Sequence, residues 1–124
     1  MELKREKEFV NQYHYNARNL EWEKEHEAPK TGAQVNFQLV KKDQENKVTS
    51  LITILQMTVV HDDFVINAMI SQMSHIQGRI VNEIKELSQP EVQELAAPLL
   101  DMVKRLTFEV TEIALDRPGV NLEF

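Results

Sequence analysis

The chain has 124 residues, 42% hydrophobic and 27% charged, the balance of a folded globular protein with core enough for one domain and not of a disordered segment. Twenty acidic residues against fourteen basic ones leave a formal charge of −6, which argues against nucleic acid or an anionic membrane as partner, because both require a Lys/Arg surplus. The absence of cysteine excludes a disulfide framework, a thiolate nucleophile and a Cys-based zinc site.

Met1 to Glu8 alternates charges of both signs without an apolar stretch and is not read as a signal peptide. Phe9 to Trp22 predicts a first strand, with Tyr13 and Tyr15 straddling His14 at strand spacing. The alternating acidic run from Glu21 to Glu27 reads as a solvated segment, either a frayed helix or a strand extension. It breaks at the turn signal Ala28-Pro29-Lys30-Thr31-Gly32. Gln34 to Val40 alternates cleanly, with Val35, Phe37 and Leu39 on one side and Asn36 and Gln38 on the other, which predicts a half-buried strand. Lys41 to Lys47 is a polar hairpin connection.

Val48 to Ile76 reads as two long strands around Asp62-Asp63. With that turn, Leu51, Thr53, Leu55, Met57 and Val59 share a face with Phe64, Ile66, Ala68 and Ile70. The opposite face collects Ile52, Ile54, Val60, Val65, Met69 and Met73, diluted by Gln56, Thr58, Asn67 and Ser71. A solvated antiparallel sheet has one apolar and one polar face. Here one face can pack on the chain's own helices, and the second, half-apolar face requires a subunit, a partner or an extended client peptide.

Beyond Gly78 the period changes. Ser88 and Glu91 have capping-box spacing, with Pro90 tolerated in the first turn. Val92, Leu95 and Ala96 predict a short helix, and Pro98 is read as restarting a second one. Leu99, Met102, Val103, Leu106, Val110, Ile113 and Ala114 then form an apolar stripe, with Leu100, Phe108 and Leu115 off it. Arg117-Pro118-Gly119 stops the helix. The predicted fold class is α+β, a four-stranded antiparallel sheet covered by two C-terminal helices, in a single domain over residues 1–124.

No catalytic residues are assigned. The three glycines, Gly32, Gly78 and Gly119, are scattered at turns, and neither a G-x-S-x-G elbow nor H-E-x-x-H occurs. Nucleophilic catalysis needs a Ser or Thr with a His base and an orienting carboxylate. The nearest approach is His61 beside Asp62 and Asp63, neighbours in a turn that point apart. His14 and His75 read as ordinary sheet residues. His26 among Glu23, Glu25 and Glu27 is a poor pre-formed ion cage. Met57 and Met102 read as core gap-fillers, whereas Met69 and Met73 on the second face suit an adaptable apolar surface as well as a core.

Several phrases resemble the SecB family of export chaperones over most of the chain from Tyr13 on. Tyr13-His-Tyr-Asn-Ala-Arg-Asn-Leu-Glu-Trp-Glu23 is similar to that family's first-strand phrase. Glu27-Ala28-Pro29 and Val35-Asn-Phe-Gln-Leu39 resemble the next segments of that family in chain order, and Val59 to Ile76 occupies the place of its central hairpin. Ala97-Pro98-Leu-Leu, with Arg105 further on, resembles its helix start, and Pro118-Gly-Val-Asn-Leu122 its Pro-Val-Asn-Phe ending. More closely, Leu3-Lys-Arg-Glu, Arg79-Ile-Val-Asn-Glu83 and Gly119-Val-Asn-Leu-Glu-Phe124 resemble a small uncharacterised family of Gram-positive bacteria that shares the SecB-like fold.

The resemblance implies a tetrameric holder of unfolded preproteins that passes clients to the SecA motor. The sequence departs from that pattern in two places. Arg117 leads straight into Pro118, and nothing up to Phe124 corresponds to the family's further helix and basic tail, which puts handover to SecA in doubt. The functional expectation is therefore non-enzymatic, ATP-independent binding of unfolded or extended polypeptide by a cytoplasmic homo-oligomer, dimer or tetramer. Neither cofactor nor metal is expected. The polypeptide-binding or oligomer-interface residues are Ile54, Val65, Met69, Met73, Phe108 and Leu115. The alternatives are a scaffold or adaptor for one protein partner, and a small-molecule or metal-dependent activity at the 61–63 turn.

Overall fold

The longest antiparallel pairing joins β4 (Val48–Val60) to β5 (Phe64–Gln77) around Asp62-Asp63. The computed structural model in which it lies describes residues 2–25, 30–116 and 118–122. Val60 faces Val65, Leu55 faces Ile70 and Leu51 faces Ser74, the register that the Asp-Asp turn predicts. His61 N–H closes the turn by donating to the Phe64 carbonyl at 2.9 Å. Side chains alternate with period two, so Leu51, Leu55, Phe64, Ile66 and Ile70 are fully buried while their neighbours face outward.

β3 (Gly32–Asp43) pairs with the free edge of β4. On the other edge of β5, β1 (Glu2–Arg5) and β2 (Phe9–Ala17) follow one another, β1 opposite Ser74–Gln77 and β2 opposite Phe64–Ser71. All pairings are antiparallel. The fold class is the expected one, with a fifth strand in place of four. That strand is the charged opening segment. Its order comes from backbone pairing with β5, and Leu3 alone among its side chains reaches the core.

The acidic run resolves into a short helix, α1 (Leu20–Glu25), whose start is capped by Asn19 Oδ1 accepting from the Trp22 amide at 3.0 Å. His26 and the Ala28-Pro29 turn signal lie outside the described residues.

The two predicted helices are one: α2 runs unbroken from Gln89 to Leu115 with Pro98 inside it. Its start is the anticipated capping box, Ser88 Oγ accepting from the Glu91 amide and Glu91 accepting from the Ser88 amide. Pro98 removes the N–H that would bond the Glu94 carbonyl. Arg5 Nη2 donates to that carbonyl instead, at 2.9 Å, so the helix continues where sequence reasoning breaks it.

The buried line along α2 is Leu95, Leu99, Val103, Thr107 and Thr111. A four-residue step overshoots a full turn by about 40°, so this line winds around the helix. It leaves the Ile113–Ala114 end of the predicted stripe in solvent; Ile113 is 82% exposed. The core has two clusters, one around Leu55, Phe64, Ile66, Leu99 and Val103, the other around Leu51, Ile76, Val81 and Leu95. A band of buried polar residues, Thr53, Gln72 and Ser74, lies between them in the hairpin register.

Candidate functional site

Among the described residues, no helix covers the face of the sheet opposite α2. Cross-strand register arranges this outer face in rows. Gln12, Met69, Gln56 and Gln34 form one row, and His14, Asn67, Thr58 and Gly32 the next. Phe9, Ser71, Ile54 and Asn36 form a third, adjoining Met73, Ile52 and Gln38. The first two rows border a depression of about 430 Å³. Met69, Met73, Ile52 and Ile54 thus share the β4–β5 middle of the face with Gln56, Asn67, Thr58 and Ser71, and the amides of Gln12 on β2 and of Gln34, Asn36 and Gln38 on β3 border it.

The structure brings together four of the six predicted residues. Ile54, Val65, Met69 and Met73 stand half-buried on this face of the central hairpin. The two helical residues lie elsewhere. Leu115 packs against the larger core cluster, with Val120 and Leu122 of the returning C-terminal segment. It turns inward although it lies off the straight stripe, because the buried line of α2 has wound around to it. Phe108 is half-buried beneath that segment, and any Cβ at Gly119 would run into the Phe108 carbonyl and ring. Met57 and Met102 are core residues, as expected.

Sequence reasoning missed Phe9, 64% exposed in line with Ile54 across Ser71. A bulge between Val10 and Gln12 sets this stretch of β2 on its pairing. Nothing local in the sequence distinguishes Phe9 from a core aromatic. It also missed Thr107 and Thr111, which carry the buried line of α2 into polar chemistry. Thr107 Oγ1 lies 3.2 Å from the Tyr13 hydroxyl, and burial pushes the Tyr13 phenol above its usual range. Thr111 Oγ1 donates to the Thr107 carbonyl at 2.6 Å and accepts the Val120 amide at 2.8 Å.

The 61–63 turn is built as a structural corner. The His61 ring stacks on Phe64 with centroids 4.7 Å apart and planes at 10°. Arg18 bonds the His61 carbonyl at 3.2 Å and pairs with Glu23 at 3.0 Å. Among the described residues, no three His, Asp or Glu side chains converge as a metal site, and no helix is long and apolar enough to cross a membrane.

At the other end of the outer face, three residues far apart in sequence form a hydrogen-bonded chain. Ser50 Oγ lies 2.7 Å from His75 Nδ1, and His75 Nε2 lies 3.0 Å from Glu6 Oε2. Lys4, His75, Ser50 and Lys41 occupy one lateral row.

Comparison with known proteins places this geometry. A family model described as Protein of unknown function (DUF1149) matches residues 1–124. A crystal structure of a protein of unknown function from Streptococcus agalactiae is 65% identical, with 100% of this chain and 98% of that chain covered and a TM-score of 0.98. A Mycobacterium tuberculosis SecB-like chaperone, solved in complex with a peptide from the HigA1 antitoxin, is 12% identical. There the likeness covers 98% of this chain and 86% of that one, with a TM-score of 0.53, and it speaks for the fold. A search of curated proteins finds no match. This chain thus has a SecB-like fold and belongs to the DUF1149 family.

Proposed function

We propose that this protein binds unfolded or extended polypeptide on the outer face of its sheet, a binding step that needs neither catalysis nor ATP. The observation that carries this reading is the set Ile52, Ile54, Val65, Met69 and Met73, which no helix among the described residues covers. Each 100 Å² of apolar surface removed from water is worth about 2.5 kcal/mol before the cost of ordering the client. Methionine adapts to varied apolar partners. The amides of Gln12 and Gln34 at the borders and of Gln56 and Asn67 between them both donate and accept, so they can pair with peptide groups in either polarity. The peptide-bound Mycobacterium tuberculosis relative supports the same kind of partner.

In this reading the protein works in the cytoplasm as a dimer or tetramer. Ile54, Val65, Met69 and Met73 serve clients, while Phe108 and Leu115 serve the protein's own architecture. The test is suppression of aggregation of several unrelated unfolded proteins, paired with fluorescence anisotropy of labelled extended peptides and a solution mass. Dose-dependent suppression without nucleotide is expected. Capture of one folded partner, with no effect on unfolded proteins, would replace this reading by an adaptor role. A mass showing that subunit contacts bury the outer face entirely would remove the site.

A further inference from the structure

The Glu6–His75–Ser50 chain carries an inference beyond polypeptide binding and independent of it. A carboxylate only accepts hydrogen bonds, so the 3.0 Å contact to Glu6 Oε2 puts the imidazole proton on Nε2. In the neutral imidazole Nδ1 is then the acceptor. The Ser50 hydroxyl, 2.7 Å away, points its proton there. This is a hydroxyl, base and orienting carboxylate in series, the arrangement that activates serine in acyl transfer. Two strands, β4 and β5, and the link that follows β1 supply it, with His75 25 positions from Ser50 and 69 from Glu6. His75 and Glu6 are open to solvent, with 28% and 58% of their side-chain surface exposed. With Lys4, Val48 and Gln77 they line a depression of about 400 Å³, which Ser50 meets through its hydrogen bond to His75.

We infer that Ser50 is a nucleophile that takes acyl groups from activated esters, with His75 as general base and Glu6 as a positioning residue. Ser50 Oγ bonds to the acyl carbon as its proton passes to His75 Nδ1. The ester C–O bond breaks and the leaving alcohol departs with that proton. Water then attacks the acyl carbon, giving its proton to Nδ1, and the Ser50 Oγ–acyl bond breaks as the proton returns to Ser50. Lys4 and Lys41, flanking His75 and Ser50 in the same row, supply positive charge to the developing oxyanion.

The full chain is treated with a fluorophosphonate probe, which spares lysine, and separately with p-nitrophenyl acetate. Adducts are mapped by mass spectrometry over a pH series. The expected result is a single adduct on Ser50, absent in Ser50→Ala, and a rate roughly 100-fold lower in His75→Gln, the scale of general-base catalysis. Glu6→Gln lowers kcat without moving KM, and Glu6→Asp restores it, which a merely structural role would not do. No Ser50 adduct, or equal rates in wild type and His75→Gln, overturns the inference. If His75→Gln does not fold, the comparison of wild type with Ser50→Ala decides alone.

Discussion

Arg5 and Pro98 are a coupled pair that never bond to each other: Arg5 Nη2 donates, at 2.9 Å, to the Glu94 carbonyl that Pro98 leaves without an intrahelical donor. The coupling has a measurable sign. Arg5→Ala orphans the carbonyl and costs about 1 kcal/mol. In a Pro98→Ala background, position 98 supplies its own N–H and the cost of losing Arg5 falls toward zero. Urea denaturation of the four proteins closes the cycle, and strictly additive losses would uncouple the two residues.

Met69 and Met73 stand on the side of the sheet away from α2, so charge there leaves the core intact. Met69→Asp combined with Met73→Asp should weaken peptide binding at least tenfold, about 1.4 kcal/mol, with unchanged far-ultraviolet circular dichroism. A soluble double variant that binds clients at full strength would move the site off this face.

Thr111 ties the returning segment to the helix through the Val120 amide at 2.8 Å. Thr111→Val keeps the shape but deprives that amide of its acceptor, at a cost of about 1–2 kcal/mol, whereas Thr111→Ser should be nearly neutral. Hydrogen exchange at Val120 is the direct readout. Faster exchange is expected in the valine variant alone.

Glu91 makes the protein acid-sensitive at the start of α2. The Ser88 amide, followed by the Arg79 guanidinium, holds its carboxyl down to about 2 from an ordinary 4.5. A depressed acid stabilises the fold above its unfolded-state value and loses that contribution as the pH falls through its folded-state value. Wild type should therefore exceed Glu91→Gln in stability above pH 4.5, with the difference closing as the pH approaches 2. Thermal melts of both proteins across that window measure it, and a constant gap would contradict the assignment.

The hairpin was legible because both of its strands repeat with period two and Asp62-Asp63 fixes the register; a slip of one residue would turn Phe64 and Ile66 to solvent. The start of α2 was legible because Ser88 and Glu91 carry the cap within a single turn. The rest depends on partners distant in sequence. The continuity of α2 rests on Arg5, 89 positions from the carbonyl it serves. The strand at Glu2–Arg5 has no apolar rhythm and exists through the edge of β5. Ser50, His75 and Glu6 each look ordinary in place and become a chain only when β4, β5 and the link after β1 meet. The winding of the buried line on α2 likewise escaped a straight-stripe reading, which placed Leu115 outside and Ile113 inside.

β5 holds both amino-terminal strands along one edge, pairing Glu2 with Gln77 and Phe9 with Ser71. Both strands thus leave the ribosome before the segment they pair with, which is made 47 to 75 residues later. Until then Phe9, Tyr13 and Tyr15 have no strand to join, while the β4–β5 hairpin can close locally as soon as it emerges. Bridging so long a loop is entropically slow. Nascent molecules therefore pass through a stage in which a finished hairpin still lacks its amino-terminal neighbours.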